Sequence, residues 1–218
     1  MKKRLDCLLT VITAVALAAC DAHIEEPDTA VKVGHVLCTD GRSISYESYK
    51  GSDKEAIAIV FYLNHDPETA GNGYAVYLHD LPAEAFADSI GVAQGTSADL
   101  TACDGNENTF ALYDTEEVAS PIAERVFDLW RYGQSAYIPS VAQMRLLYAA
   151  KEIINPYIEN CGGEPLPDTA DDCWYWTSTE VEGQETAKAW LYSMGSGALQ
   201  ETPKLQSHKV RPVITLNE

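Results

Sequence analysis

No apolar run in this 218-residue chain is long enough to span a bilayer, and after the short one at the N-terminus no second hydrophobic stretch appears. A spanning helix needs about 20 consecutive apolar residues, so membrane passage by a helix is excluded. Basic residues are also scarce, with 15 Lys and Arg against 33 Asp and Glu and a net charge of −18. Nucleic acid and anionic lipid would both repel such a surface, so neither is an expected partner. Catalytic signatures are missing too. There is no Ser-His-Asp order with a nucleophile elbow, no glycine loop to cradle a phosphate, and no carboxylate pair that stands out. His35, His65, His79 and His208 are scattered without the helical or strand spacing that would place two of them on one metal.

What is present begins at the first residue. Lys2, Lys3 and Arg4 precede an apolar run that ends Leu17-Ala18-Ala19-Cys20. A basic tip, a short apolar segment and small closing residues mark a secretion signal. The closing order resembles the lipobox of bacterial lipoproteins, in which the signal is cut before the cysteine and the cysteine is acylated. This resemblance implies a signal peptide over 1–19 and lipidation at Cys20. Buried acyl methylenes contribute ~0.8 kcal/mol each, which would hold the protein at the outer membrane without spanning it. Cleavage would remove Lys2, Lys3, Arg4 and Asp6, leaving 12 basic and 32 acidic residues and a charge of −20.

Residues 20–33 are polar, acidic and aperiodic, as expected of a flexible tether. Glu25-Glu26 resembles the acidic signals that send some lipoproteins of gut Gram-negative bacteria to the cell surface. Residues 34–218 then form one expected domain, long enough for a sizeable core. Four cysteines remain in it, Cys38, Cys103, Cys161 and Cys173. An even number in an exported chain predicts disulfides, with Cys161 joined to Cys173 across a short loop and Cys38 to Cys103. Free thiols are the alternative.

Hydrophobic periodicity assigns the elements. Val36 and Leu37, the turn Asp40-Gly41, then Ile44 and Tyr46 predict a hairpin. Ala56 to Leu63 is a continuous β-branched and aromatic run and the best central-strand candidate, with Tyr74 to Leu78 as its partner. Ser120-Pro121 predicts a helix start, with Ile122, Val126, Leu129 and Trp130 on one stripe and Gly133 past the end. Ser140 with Gln143 forms a capping-box pattern for a second helix carrying Val141, Met144, Leu147 and Tyr148 on one face, which Pro156 is expected to end. Trp174 to Ser178, Ala187 to Ser193, Ala198 to Glu201 and Val210 to Leu216 read as short strands, with a turn at 194–197. Two helices among antiparallel strands predict an α+β fold.

Asp104, Asn106 and Asn108 place oxygen ligands at alternate positions, the spacing by which a tight loop can wrap calcium. The bidentate glutamate of a helix-loop-helix site is absent, and Asp, Gly and Asn equally make an ordinary turn. No cofactor is otherwise expected.

Several segments occur in a telling order. They are Tyr137-Ile138-Pro139-Ser140 with Gln143, Tyr175-Trp176-Thr177-Ser178-Thr179-Glu180, Ala189-Trp190, and Val210-Arg211-Pro212-Val213. This order resembles the unknown-function family related to the C-terminal domain of bacterial collagen-like adhesins, whose members read W-x-L-P-S-x-x-E-L, Y-W-S-S-T-E, A-W and V-R-P-V. Here Tyr137, Ile138 and Gln143 depart from the first motif. The stretches VGHVLCTDG, AIVFYLN and DGNENT also look like segments of lipoproteins from gut bacteria. The resemblance covers Gly34 to Val213 and implies a C-type-lectin-like fold, two helices packed on short antiparallel strands with long loops.

Relatives of that fold include lectins, adhesins and formylglycine-generating enzymes. The calcium and sugar signature of true lectins is absent. The enzymes hold copper through two cysteines near the chain end, and no cysteine follows Cys173. The expected function is therefore a cell-envelope binding or adhesion module without catalysis, taking a glycan or protein ligand. A structural or accessory subunit of an envelope assembly is the alternative, and a formylglycine-generating type of enzyme a remote third. The candidate ligand surface is the loop Asn160 to Asp172 with Trp174, Tyr175, Asp171 and Asp172, because aromatic faces stack on sugars. Strand alternation would place Trp176 in the core.

Overall fold

The computed structural model describes residues 30–65, 71–129, 136–169 and 173–217. The expected signal, Cys20 and most of the expected tether lie outside them, as do Trp130, Gly133, Asp171 and Asp172. The fold is α+β, with two five-stranded sheets and four helices among the described residues.

The helices are α1 (Tyr46–Lys50), α2 (Gly105–Asp114), α3 (Pro121–Phe127) and α4 (Val141–Asn160). Strands β1 (Val36–Cys38), β2 (Ser43–Ile44), β3 (Ala56–Leu63), β4 (Gly73–Tyr77) and β10 (Val213–Leu216) build the first sheet in the antiparallel order β10-β4-β3-β1-β2. The unbroken apolar run of β3 is explained by burial of both its faces. Ala58 and Val60 join one apolar cluster with Ile122, Trp176 and Leu191. Ile59 and Phe61 join a second with Met144, Leu147 and Ile154 of α4. Each such side chain contributes ~1.5–3 kcal/mol by leaving water, so β3 anchors both halves of the core.

The second sheet runs β5 (Leu81–Ala85), β9 (Ser207–Val210), β6 (Trp174–Glu180), β7 (Lys188–Ser193) and β8 (Leu199–Pro203), in the order β5-β9-β6-β7-β8. Only β6 and β9 run parallel, meeting at Tyr175 and Lys209. Two residues, Arg211 and Pro212, carry the chain from β9 in this sheet to β10 in the other.

Helix starts follow the sequence signals closely. The Ser120 hydroxyl accepts from the Ala123 amide with Pro121 in the first turn. At α4 the Ser140 side chain accepts from the Gln143 amide, and the Gln143 side chain returns the bond to the Ser140 amide. Gly105, at the start of α2, lies tight against this cap. A Cβ there would sit 2.4 Å from Gln143 Oε1 and 2.6 Å from the Ile138 carbonyl, so only glycine fits.

Four expectations are corrected. Pro156 lies inside α4, which continues to Asn160. Glu152, whose carbonyl loses its amide partner, is exposed like Pro156 itself, so the helix tolerates the proline on its solvent side. Tyr46 opens α1 instead of extending β2, because the Ser45 hydroxyl caps the Ser48 amide. The strand expected over Val210 to Leu216 is broken at Arg211-Pro212 into β9 and β10. Asp104 to Asn108 forms neither a calcium loop nor a plain turn, since it is the cap and first turn of α2.

Candidate functional site

Strand β6 is where the aromatic segment meets the loop after α4. Alternation sends Trp176 into one apolar cluster and Tyr175 into the other, both fully buried. Trp176 donates from Nε1 to the Glu84 carbonyl at 3.1 Å and meets Phe86 and His208 edge-on, each at 5.3 Å between ring centres. Burial of His208 lowers its pKa, which favours the neutral ring against the indole. Tyr175 is thereby corrected as a ligand candidate. Its hydroxyl donates to Asp80 Oδ2 at 3.0 Å and Lys209 Nζ lies 4.7 Å over its ring, all internal contacts. Trp174 is half-buried and packs on the edge of the first cluster, so one side of it still reaches solvent.

The loop beside Trp174 is stitched to α4. Asn155 donates to the Leu166 carbonyl at 2.9 Å and accepts from the Leu166 amide at 2.8 Å. Lys151 Nζ donates to the Met194 carbonyl at 2.9 Å and pairs with Asp168 at 2.8 Å. The loop is thus a supported platform up to Thr169. Asp171 and Asp172, the acidic candidates, fall outside the described residues.

The polar residues of the sequence motifs point inward. Thr177 donates to the Trp190 carbonyl at 2.9 Å, Ser178 bonds the Pro139 carbonyl through its amide at 3.0 Å, and Thr179 Oγ1 accepts from the Val141 amide at 3.1 Å. Thr177 to Thr179 therefore tie β6 to β7 and to the segment that starts α4. Arg211, also fully buried, donates from Nε to the Tyr77 carbonyl at 2.7 Å, from Nη1 to Asp80 at 2.8 Å, and from Nη2 to the carbonyls of Leu78 at 2.8 Å and Glu164 at 2.5 Å. One guanidinium fastens β4, the Leu78–Asp80 segment and the loop after α4 together. Asp80 is shared by Arg211, Lys209 and Tyr175.

A second buried polar group lies at the far end of β6. Lys204 Nζ pairs with Glu180 Oε1 and donates to Gln94 Oε1 at 3.0 Å, with the Phe86 ring 5.1 Å away. Burial holds the Lys204 pKa below that of a free lysine, against the opposing pull of Glu180. Sequence reading missed both networks. Arg211 and Glu180 stood in motifs, but nothing in the local sequence around Gln94, Lys204 or Asp80 joins them to these positions.

The oxygen ligands expected for calcium do not converge. Asn108 is buried, accepting from the Ser97 amide at 2.8 Å and donating to Asp104 at 2.8 Å, while Asn106 is exposed two residues along the helix. Among the described residues no group of three or more His, Cys, Asp or Glu is placed to hold a metal.

The expected disulfides are corrected as well, since no disulfide joins the four cysteines among the described residues. Cys103 lies beside the Tyr74 hydroxyl, and Cys173 Sγ lies 3.2 Å from Ser193 Oγ on β7. Cys161, at the end of α4, faces the surroundings of Tyr49 and Cys38 instead of Cys173. Neither expected pair is brought together. Burial, with Cys38 nearby, pushes the Cys161 thiol up to about 11.

A feature without a sequence expectation is the outer face of α2. Phe110 and Tyr113 are exposed one turn apart, and the Tyr113 ring lies tilted against that of Phe127 of α3, 4.4 Å between centres.

No family model matches the chain, and no curated protein matches it. Its fold is similar to that of a fimbrial protein from Bacteroides ovatus, known from a crystal structure, with a TM-score of 0.66 and 16% sequence identity. The likeness covers 85% of this chain and 49% of that protein, so the chain spans about half the length of the fimbrial protein. At this identity the likeness establishes the fold alone.

Proposed function

We propose that this chain is a lipid-anchored, non-catalytic recognition module displayed at the bacterial cell envelope, where it binds a glycan or protein. The observation that carries the reading is the likeness of its fold, over most of the chain, to a fimbrial protein. The inward commitment of the motif residues supports it. Thr177, Ser178, Thr179 and Arg211 are consumed in fastening elements together, which leaves loops on a rigid support. Trp174 and the loop held by Asn155 and Lys151 form the proposed contact surface. At the finer level, the motif order and the capped α4 packed on antiparallel strands support a C-type-lectin-like fold of the adhesin-related family. Cys20 is the proposed anchor at the outer membrane, and the Glu25-Glu26 pair supports display at the cell surface.

Two measurements test this. Labelling cells with a clickable fatty acid should tag the wild type and not C20A, and C20A should leave the membrane fraction. A glycan array probed with the full-length protein should give hits that W174A loses at least tenfold while its circular dichroism is unchanged. Labelled C20A, or an array without hits, overturns the anchor or the glycan reading respectively.

A second reading, that the chain is a structural or accessory subunit of an envelope assembly, rests on the same likeness to a fimbrial protein. It predicts that appendage components co-purify with the chain after mild crosslinking.

A further inference from the structure

The group formed by Lys204, Glu180 and Gln94 has no part in the proposed recognition surface, and its composition is unusual. All three side chains are buried, with Lys204 1%, Glu180 0% and Gln94 2% exposed. They come from three places in the chain. Glu180 ends β6, Lys204 occupies the turn between β8 and β9, and Gln94 sits in the long segment between β5 and α2. A buried lysine and glutamate alone make an ion pair, which well-packed apolar residues often replace without loss of stability. Here a primary carboxamide is added at hydrogen-bond distance from the amine.

The backbone that carries the amine is also fixed. The Lys204 amide donates to the Ala187 carbonyl at 3.0 Å, and its carbonyl accepts from the amides of Phe86 at 3.0 Å and Ala87 at 3.2 Å. The carboxamide is oriented from both ends. Its oxygen accepts from Lys204 at 3.0 Å, and its nitrogen donates to the Val118 carbonyl at 3.5 Å. Glu180 uses only one oxygen on Lys204, and its Oε2 is buried with no hydrogen-bond partner among the described residues. An unpartnered carboxylate oxygen in an apolar site is costly to a fold, and it is the feature a proton carrier requires. The Phe86 ring closes the site beside the amine.

We propose that Lys204 and Gln94 become joined by an intramolecular isopeptide bond, with Glu180 as the proton carrier. In the dry site Glu180 takes a proton from the Lys204 ammonium and leaves a neutral amine. That amine attacks Gln94 Cδ, whose oxygen is already in contact with Nζ. The new Nζ–Cδ bond forms as the Cδ–Nε2 bond breaks, and Glu180 passes to the departing nitrogen both the proton it first took and the second proton that Nζ loses on becoming an amide. Ammonium leaves, the carboxylate is regenerated, and no oxidant or other reactant is needed. The amide formed ties the segment between β5 and α2 to the β8–β9 turn, positions 110 residues apart in sequence. A closure that long restricts the unfolded chain and raises resistance to unfolding.

Peptide mapping of the full-length protein, purified under native conditions and digested only afterwards, tests the bond. The expected result is one branched species containing the Gln94 and Lys204 peptides, lighter than their sum by one ammonia. Separate peptides at unmodified mass overturn the proposal. A branched species joining Lys204 to Glu180 with loss of one water also overturns it, because the acyl donor would then be the wrong residue. K204R and Q94A should both give unbranched maps and lower denaturation midpoints than the wild type. E180Q should stay unlinked while its circular dichroism remains that of the wild type, and an E180Q chain that links as fully as the wild type refutes the role of Glu180. The wild-type map decides the bond itself even if every variant misfolds.

Discussion

Arg211 shows how a single residue can be conspicuous in sequence for a reason other than function. Its place in a Val-Arg-Pro-Val segment suggested a motif, and its side chain proves to be a fastener with bonds to Tyr77, Leu78, Asp80 and Glu164. Replacing it with alanine would leave Asp80 and three carbonyls short of a donor in the interior. Removing one partner of a buried pair costs about 3–5 kcal/mol. R211A should therefore lower the denaturant midpoint by that equivalent or fail to accumulate folded, whereas R125A, which breaks only the exposed pair with Glu84, should shift it by less than about 1 kcal/mol. Equal effects of the two variants would refute the fastening role. Tyr175 teaches the converse. An aromatic beside a loop looked like a ligand platform, yet its hydroxyl had an internal acceptor in Asp80, 95 residues away, that no local pattern reveals.

At the level of elements, the capping box that starts α4 is the most exposed to a simple test. Ser140 is fully buried and also donates to the Ala102 carbonyl at 2.7 Å, so the cap joins α4 to the segment before α2. S140A should cost about 1–2 kcal/mol in denaturant unfolding, at the upper end for an N-cap. S140A restored by a second change elsewhere on α4 would not recover the contact with Ala102. The central strand β3, both helix starts and the β1–β2 hairpin were legible because their signals are local: a β-branched run, a Ser-Pro step, a Ser with Gln three residues on, an Asp-Gly turn. The rest was set by distant partners. Asp104 to Asn108 has turn composition, but packing of Gly105 against Gln143 and the bond from Asn108 to the Ser97 amide make it helix. Strand β5 carries a proline and a glutamate and gave no period, because it lies at a sheet edge beside β9. The cysteine pairing failed for the same reason, since closeness in sequence did not bring Cys161 to Cys173. The supports of the loop beside Trp174, Asn155 and Lys151, were not legible, because their partners Leu166 and Met194 lie outside the helix.

In alkaline solution the molecule responds to pH through tyrosines and cysteines that hold their protons more tightly when folded, with Lys204 acting in the opposite sense. Burial raises the Tyr74 hydroxyl to about 12 and the Cys161 thiol to about 11, and it raises Tyr137 further. Their ordinary values are 10.0 for tyrosine and 9.0 for cysteine. An unfolded chain therefore releases these protons first as pH rises. The stability they contribute is whole below about pH 9 and is lost progressively from there to about pH 12. Denaturant midpoints should be flat from about pH 7 to about pH 8.5 and fall steadily above it, and C161A should flatten the early part of that fall. A midpoint that does not move up to about pH 11 would contradict this.

The two-residue step from β9 to β10 has a consequence for the order in which the protein is made. Strand β9 pairs with β5 and β6 in one sheet, and β10 pairs with β4 in the other, so neither sheet has its full set of strands until residues 207–216 are available. Arg211 lies within that same stretch and is needed to close the interior around Asp80. A chain that emerges N-terminus first therefore completes both sheets in the same step, when residues 207–216 arrive.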